Sequence, residues 1–276
     1  MKRACIVGWP VEHSRSPMIH GHWIARYRID GTYTKAAVRP EEAHAFFRSL
    51  ALNGFVGCNV TVPHKETAFA AADELDGSAR AVGAANTLWF EGSRLCAANS
   101  DTYGFMTHLA SAAPAWAALD RPAVVLGAGG SARTIVYGLL EAGVGEVRVV
   151  NRTLARAEAI AHHFGAKVRA LPWDRREAAS RDAGLLVNTT TLGMVKSGPL
   201  DFDVAALPQD ATVADIVYVP LETNLLRNAR ARGLVGVDGL GMLLHQAVPG
   251  FEKWFGVRPE VTDELRDLIV RDIEGT

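Results

Sequence analysis

The stretch 124–133, VVLGAGGSAR, constrains this chain more than any other, because it joins a short apolar strand to a helix through a glycine turn. AVVL reads as a buried strand, and 134–142 carries Ile135, Leu139 and Leu140 at helical spacing. Gly127 permits the tight turn, Gly129 lets backbone approach a pyrophosphate, and Ala132 fills the small position where helix packs on strand. Backbone N–H groups at that helix start face an anion. Glycine also serves ordinary turns, so the run gains its meaning from the strand before it and the helix after it. Together they predict an α/β fold with a dinucleotide-binding domain of Rossmann type.

The next strand, 147–150, ends in Asn151, Arg152 and Thr153, with Arg156 on the following turn. An NAD site places Asp or Glu there for the ribose 2′-hydroxyl, whereas a 2′-phosphate needs cations. Asn151 brings no negative charge, and Arg152 and Arg156 can grip a phosphate through charge-assisted hydrogen bonds. The plainer alternative is a pair of solvated arginines. Cations at a helix start oppose its macrodipole, which favours an anionic ligand there. NADP is therefore expected rather than NAD.

Length and charge narrow the partners. With 276 residues the chain has room for two modest domains, and a net charge of −1 leaves no basic field for nucleic acid or a membrane surface. Cys5, Cys58 and Cys96 form no CxxC pair, so buried free thiols are expected and neither a disulfide framework nor a metal site is. The N-terminal apolar run is too short for a signal peptide, and no run approaches the roughly eighteen apolar residues of a membrane span. A cytoplasmic enzyme with a small-molecule substrate is the expectation. Glycosylation-like patterns at Asn59, Asn151 and Asn188 are read as chance.

Strand and helix patterns alternate through the first hundred residues: strands at 4–7, 32–38 and 55–60, helices from Pro17 and over 40–50. They make an α/β domain of their own, with a boundary in the helix that begins near Thr102. The pattern resumes over 123–237, and helices follow at 242–255 and 265–273. Thr262 suits the N-cap of the last, with Asp263 and Glu264 in its first turn. This terminal pair can fold back onto the first domain.

The loops of the first domain carry the chemistry. In HSRSPMIH, Ser16 can be an N-cap and Pro17 the first helical residue, whereas Ser14 has no such explanation. Two hydroxyls beside a helix start suit a small carboxylate. In CNVTVPHKE, Lys65 opens a short helix against the dipole, and Asp101 in NSDTYG is its candidate partner or else a cap. Such an ammonium and carboxylate can serve as an acid and base pair, since hydride loss from an alcohol must be accompanied by loss of the hydroxyl proton. Asn59, Asn86 and Asn99 lie beside these segments, where amides can hold substrate hydroxyls or simply make turns.

SRSPMIH, NVTVPHKE, AVGAANTL, NSDTYGF, GAGGSAR, NRTLARA, NTTTLGM, DIVYVPLETNLL and DGLGMLLHQA follow one another along nearly the whole chain, and the series resembles the shikimate dehydrogenases. The resemblance implies reversible NADPH-dependent reduction of 3-dehydroshikimate to shikimate, a step in aromatic amino acid biosynthesis. It implies a substrate domain over 1–102 completed by helices at 241–276, an NADP-binding domain over 103–240, and substrate in the cleft between them. A homodimer is compatible with it. Carried over, Lys65 and Asp101 match the catalytic pair, and Ser14 and Ser16 match the carboxylate pair. Asn59, Thr61, Asn86, Asp101 and Gln246 match positions at the ring hydroxyls, and Tyr218 matches a substrate-proximal tyrosine. Gly127, Ala128, Gly129, Gly130, Ser131 and Ala132 match the phosphate turn, Asn151, Arg152, Thr153 and Arg156 the 2′-phosphate site. Thr190, Met194, Ile216 and Gly239, with Gly241 near, match the nicotinamide side. Structural explanations stand beside these: a packed aromatic for Tyr218, a helix-surface amide for Gln246, turn and core for the glycines and Met194. His13, His20, His64 and His245 receive no catalytic role. Ser100 replaces the usual Thr and Thr191 the usual Ser, each keeping a hydroxyl, and Ser16 in place of Thr argues mildly against quinate. The alternatives are an NAD-dependent quinate/shikimate dehydrogenase and a catalytically silent NADP sensor on the same fold.

Overall fold

Two six-stranded sheets carry the chain in the computed structural model, which describes residues 1–118 and 120–275. They belong to two units, Met1–Tyr103 with Leu244–Thr276, and Gly104–Leu243.

The first unit contains β1 (Lys2–Gly8), β2 (Gly31–Ala37), β3 (Gly57–Val60), β4 (Glu74–Leu75), β5 (Thr87–Glu91) and β6 (Arg94–Ala98), in the order β2-β1-β3-β5-β6-β4. β1 runs parallel to β2 and β3, while β5 is antiparallel to both β3 and β6. Side-chain alternation sorts the two faces. Cys5, Val7, Cys58 and Val60 bury against Phe47, Leu50 and Ala68. The aromatic side chains of Trp23, Phe251 and Trp254 gather with His20 and Tyr33. Both indoles find acceptors, Trp23 Nε1 donating to the Glu260 carbonyl at 2.9 Å and Trp254 Nε1 to that of Leu88 at 2.8 Å. The three cysteines are free and buried.

The expected helix over 242–255 is two helices, Gly239–His245 and Ala247–Phe255. Pro249 explains the break: it offers no N–H to the His245 carbonyl, yet it suits the first turn of a new helix, where that N–H has no partner. The last helix, Asp263–Glu274, starts at Thr262, whose hydroxyl accepts from the Leu265 N–H, with Asp263 and Glu264 in the first turn. Among the described residues no helix is long and apolar enough to cross a membrane.

The second unit holds β7 (Ala123–Leu126), β8 (Val147–Asn151), β9 (Val168–Pro172), β10 (Leu185–Asn188), β11 (Thr212–Asp215) and β12 (Val235–Val237). Their order, β12-β11-β10-β7-β8-β9, is parallel throughout and is the doubly wound order of a Rossmann domain. Sheets of this kind are covered on both faces, which is why AVVL and LLVN are buried at every position. Ile135, Leu139 and Ile160 pack with Val125 and Val149, while Leu225 and Leu226 pack with Val124 and Leu186. Strand order reverses between β7 and β10, and the glycine turn leaves the end of β7 at that switch point.

Candidate active site

The glycine turn is built for close approach. Gly127 has φ +106°, and a Cβ there would lie 2.6 Å from Thr189 Oγ1, so a side chain is excluded. Gly129 and Gly130 differ: Cβ atoms on them would meet nothing within 4 Å, leaving open space over the start of the helix Gly130–Glu141. Ala128, Ser131 and Ala132 complete the turn, and Ala132 is buried against the sheet as its small side chain requires. The N–H groups of a helix's first turn have no intrahelical acceptors, so this opening presents donors and a positive dipole end. Past β8, Asn151 Nδ2 donates to the Thr153 carbonyl at 2.8 Å and closes the turn. Arg152 and Arg156 are exposed, and among the described residues neither has an ion-pair partner. An open phosphate turn beside unpaired arginines fits a dinucleotide carrying a 2′-phosphate.

The turn that follows β10 is shaped by its own polar groups. Asn188 Oδ1 accepts from Thr190 N at 3.0 Å and from Thr190 Oγ1 at 2.7 Å, while Asn188 Nδ2 donates to the Leu192 carbonyl and to Asp215 Oδ1. Asp215 also accepts from Val217 N and Thr223 Oγ1. Burial nevertheless pushes its carboxyl up to about 6. Met194 is 41% exposed at the far side of this turn. A Cβ on Gly239 would sit 2.3 Å from the Ile216 carbonyl oxygen, so close packing accounts for that glycine and brings the two residues together. Tyr218 follows β11 in this unit, apart from the other candidate substrate residues in sequence and unit.

In the first unit the ends of β3, β5 and β6 converge on a charge pair. Lys65 opens the helix Lys65–Ala71, where a cation opposes the dipole, and its Nζ donates to Asp101 Oδ2 at 2.5 Å. Their side chains are 30% and 15% exposed, so the pair is partly buried yet still accessible. Asn86 Nδ2 donates to the other carboxylate oxygen at 2.9 Å. Asp101 is not the cap of the helix Ser100–Ala112: Asn99 Oδ1 accepts from the Asp101 N–H at 3.2 Å, which leaves the Asp101 carboxylate for Lys65 and Asn86.

Ser16 is likewise not an N-cap. The helix Ser16–Arg26 begins on it, and the Ser14 hydroxyl accepts from the Ser16 N–H at 3.3 Å, because Pro17 has no N–H to offer. Ser16 is buried with its hydroxyl against the Tyr33 phenol. The Thr61 hydroxyl has no hydrogen-bond partner among the described residues and is half-buried beyond the end of β3. Gln246 occupies the break between the two helices, not a helix surface, and is half-buried.

Asn59 behaves differently from its expected place at a ring hydroxyl. Its Oδ1 accepts from Tyr33 OH at 2.7 Å and from His20 Nε2 at 3.2 Å, and its Nδ2 donates to the Asn86 carbonyl and Thr87 Oγ1. Every hydrogen-bonding position of that amide is used inside the protein. Tyr33 and Thr87 went unremarked in the sequence because single polar residues within strands carry no spacing signal.

Fold and turn define an α/β protein of the dinucleotide-binding class. The chain matches the shikimate dehydrogenase substrate binding domain over residues 6–88, shikimate / quinate 5-dehydrogenase over 111–193, and the shikimate 5′-dehydrogenase C-terminal domain over 239–263. It is 56% identical to the shikimate dehydrogenase (NADP(+)) of Azorhizobium caulinodans over 273 residues, 99% of this chain and 97% of that protein. Its fold resembles Thermus thermophilus shikimate 5-dehydrogenase in complex with NADP(H) and shikimate, with TM-score 0.86, 35% identity, and coverage of 99% of this chain and 100% of that one. Quinate dehydrogenase from Corynebacterium glutamicum in complex with NAD is similar at TM-score 0.89 and 29% identity, over 98% of both chains. The chain belongs to the shikimate dehydrogenase family.

Proposed function

We propose that this chain catalyses the reversible NADPH-dependent reduction of 3-dehydroshikimate to shikimate, a step in aromatic amino acid biosynthesis. The observation that carries the reading is the Lys65–Asp101 pair, partly exposed and hydrogen-bonded by Asn86 on the other carboxylate oxygen. Bound NADP supplies the nicotinamide carbon that accepts or releases the hydride. The glycine turn 127–132 and the start of its helix hold the pyrophosphate, and Arg152 and Arg156, with Asn151 and Thr153, hold the 2′-phosphate. Thr190, Met194, Ile216 and Gly239 lie on the nicotinamide side.

In the oxidation direction the substrate C3 loses its hydrogen as hydride to the nicotinamide that bound NADP would supply, and its hydroxyl proton passes to Lys65 in its neutral amine form, so that C=O forms. In reduction the Lys65 ammonium returns a proton to the developing alkoxide. Asp101 orients Lys65 and hydrogen-bonds the substrate, and because the groups interact, protons belong to the pair and not to one member. Ser14 and Ser16 receive the substrate carboxylate, while Thr61, Asn86 and Gln246 meet ring hydroxyls and Tyr218 is the candidate substrate-proximal tyrosine. Asn59 supports these groups from behind. A cytoplasmic homodimer belongs to the same reading, and light scattering and cell fractionation test it.

Initial rates with shikimate or quinate, each with NADP or NAD, test the function. Shikimate with NADP is expected to be the fastest combination. No dinucleotide reduction with shikimate, despite tight NADPH binding, would refute the reading.

A further inference from the structure

Donor and acceptor chemistry gives the hydrogen bonds behind Asp101 a direction. An amide oxygen or carboxylate only accepts, an amide nitrogen only donates, and a hydroxyl has a single proton to give. The series begins among aromatic rings, where His20 stacks on Tyr33 with centroids 4.0 Å apart and Trp23, Phe251 and Trp254 lie within 5.8 Å. Burial keeps this imidazole neutral, its pKa lowered to about 3. Its one N–H is on Nε2, because that nitrogen faces the Asn59 amide oxygen, and Nδ1 has no hydrogen-bond partner among the described residues. Tyr33 OH donates to the same oxygen. Two donors on Oδ1 turn the Asn59 nitrogen toward the Asn86 carbonyl and Thr87 Oγ1, each at 3.2 Å.

The Thr87 hydroxyl accepts from Asn59 and has its own proton left for Asn86 Oδ1, 3.0 Å away. Ser100 N donates to that oxygen at 2.8 Å, and the Ser100 hydroxyl lies 3.1 Å from it and 3.0 Å from Thr87 Oγ1. With its oxygen claimed, Asn86 can only aim its nitrogen at Asp101. The flipped amide would set oxygen against carboxylate and NH₂ against the Ser100 N–H. Thr87 is 1% exposed, so it acts through its buried neighbours Asn86 and Ser100 and not by touching substrate.

We propose that Thr87 is a positioning residue for the Lys65–Asp101 pair: its hydroxyl relays the donor order set by Tyr33 and His20 and so fixes the Asn86 amide on the Asp101 carboxylate. The proposal rests on Lys65 and Asp101 being the proton-handling pair of the shikimate reaction. Thr87→Val keeps the branched shape that suits a strand and deletes the hydroxyl, and Thr87→Ser keeps the hydroxyl.

The test is the single-turnover rate of NADPH formation from shikimate, with the KM for NADP measured beside it. Thr87→Val is expected to slow the turnover about tenfold or more, as displaced catalytic groups do, with the KM for NADP within about twofold of wild type. Thr87→Ser should restore most of the rate. Tyr33→Phe, which removes one of the two donors on Asn59 and keeps the ring, should fall between them. A folded Thr87→Val protein with a wild-type rate, or a loss that Ser does not restore, overturns the proposal. Should Thr87→Val lose its fold, Tyr33→Phe carries the same test, and an unchanged rate there overturns it. Wild-type turnover separates the two claims. Its absence refutes the functional reading and this proposal together, whereas normal wild-type turnover with an unaffected Thr87→Val refutes this proposal alone.

Discussion

The first unit completes its polar site with its own side chains, whereas the second leaves its site open. Asn59, Asn86, Thr87 and Ser100 are buried and bonded to one another, so Asp101 and Lys65 are held before any ligand arrives. The phosphate turn is made of backbone, with open space at Gly129 and Gly130 and, past β8, two exposed arginines with no ion-pair partner among the described residues. Solvated charges and helix-end donors cost little to keep in water, while buried amides must be fully paired. The difference suits two tasks: polar side chains held in fixed orientation around the charge pair, and donors and cations left open to an anion at the phosphate turn. Substitutions at the Lys65–Asp101 pair and the amides behind it should lower rate, and substitutions at the phosphate turn and its arginines should lower cofactor affinity.

The largest expected effect is at Lys65. Lys65→Ala should lose about a thousandfold in turnover, the range of a general acid or base, while calorimetry still detects shikimate binding. Near-normal turnover would break the comparison on its rate side. Next comes the double substitution Arg152→Ala with Arg156→Ala. It should raise the KM for NADP by about ten- to a hundredfold with the saturated rate nearly unchanged, since charge-assisted hydrogen bonds are lost. The KM for NAD should barely move, and an equal rise for both cofactors would contradict the assignment.

The smallest effects concern pH, and they have opposite signs in the two units. His20 has a folded pKa of about 3, below its ordinary 6.5, so the unfolded chain binds more protons between these values. Its contribution is present above pH 6.5 and declines below it, by about 2 kcal/mol at about pH 5. Asp215 is raised from 3.8 to about 6, so the folded chain binds more protons in that window. Its contribution is present below the ordinary value and lost as pH rises through about 6. Hydrogen exchange read separately at β1 and β11 should show acid weakening the first strand and favouring the second. His20→Phe and Asp215→Asn should each flatten the trend in its own unit alone.

Much of this was legible in the sequence. The glycine turn announced β7, the helix and the switch point, since only glycine fits where Thr189 presses on Gly127. Lys65 at a helix start asked for a counter-charge, and Asp101 meets it. The arginines after β8 stood out because Asn151 stands where an NAD site places an acid. The buried relay was not legible, because Tyr33, Asn59 and Thr87 come from three strands and neutral polar residues leave no periodic trace. Asn59 consequently stood among expected ring-hydroxyl contacts although its amide is fully used inside. The break at Gln246 had a visible cause in Pro249, which the apolar periodicity of 242–255 concealed.

The central claim is that one bound hydroxy acid presents its reacting hydroxyl to the Lys65–Asp101 pair. A crystal structure of the ternary complex with shikimate and NADP measures this directly. The account predicts the C3 hydroxyl oxygen at about 3 Å from Lys65 Nζ, within hydrogen-bond reach. Shikimate bound with that hydroxyl turned away from Lys65, or seated on residues other than those around the pair, would contradict it.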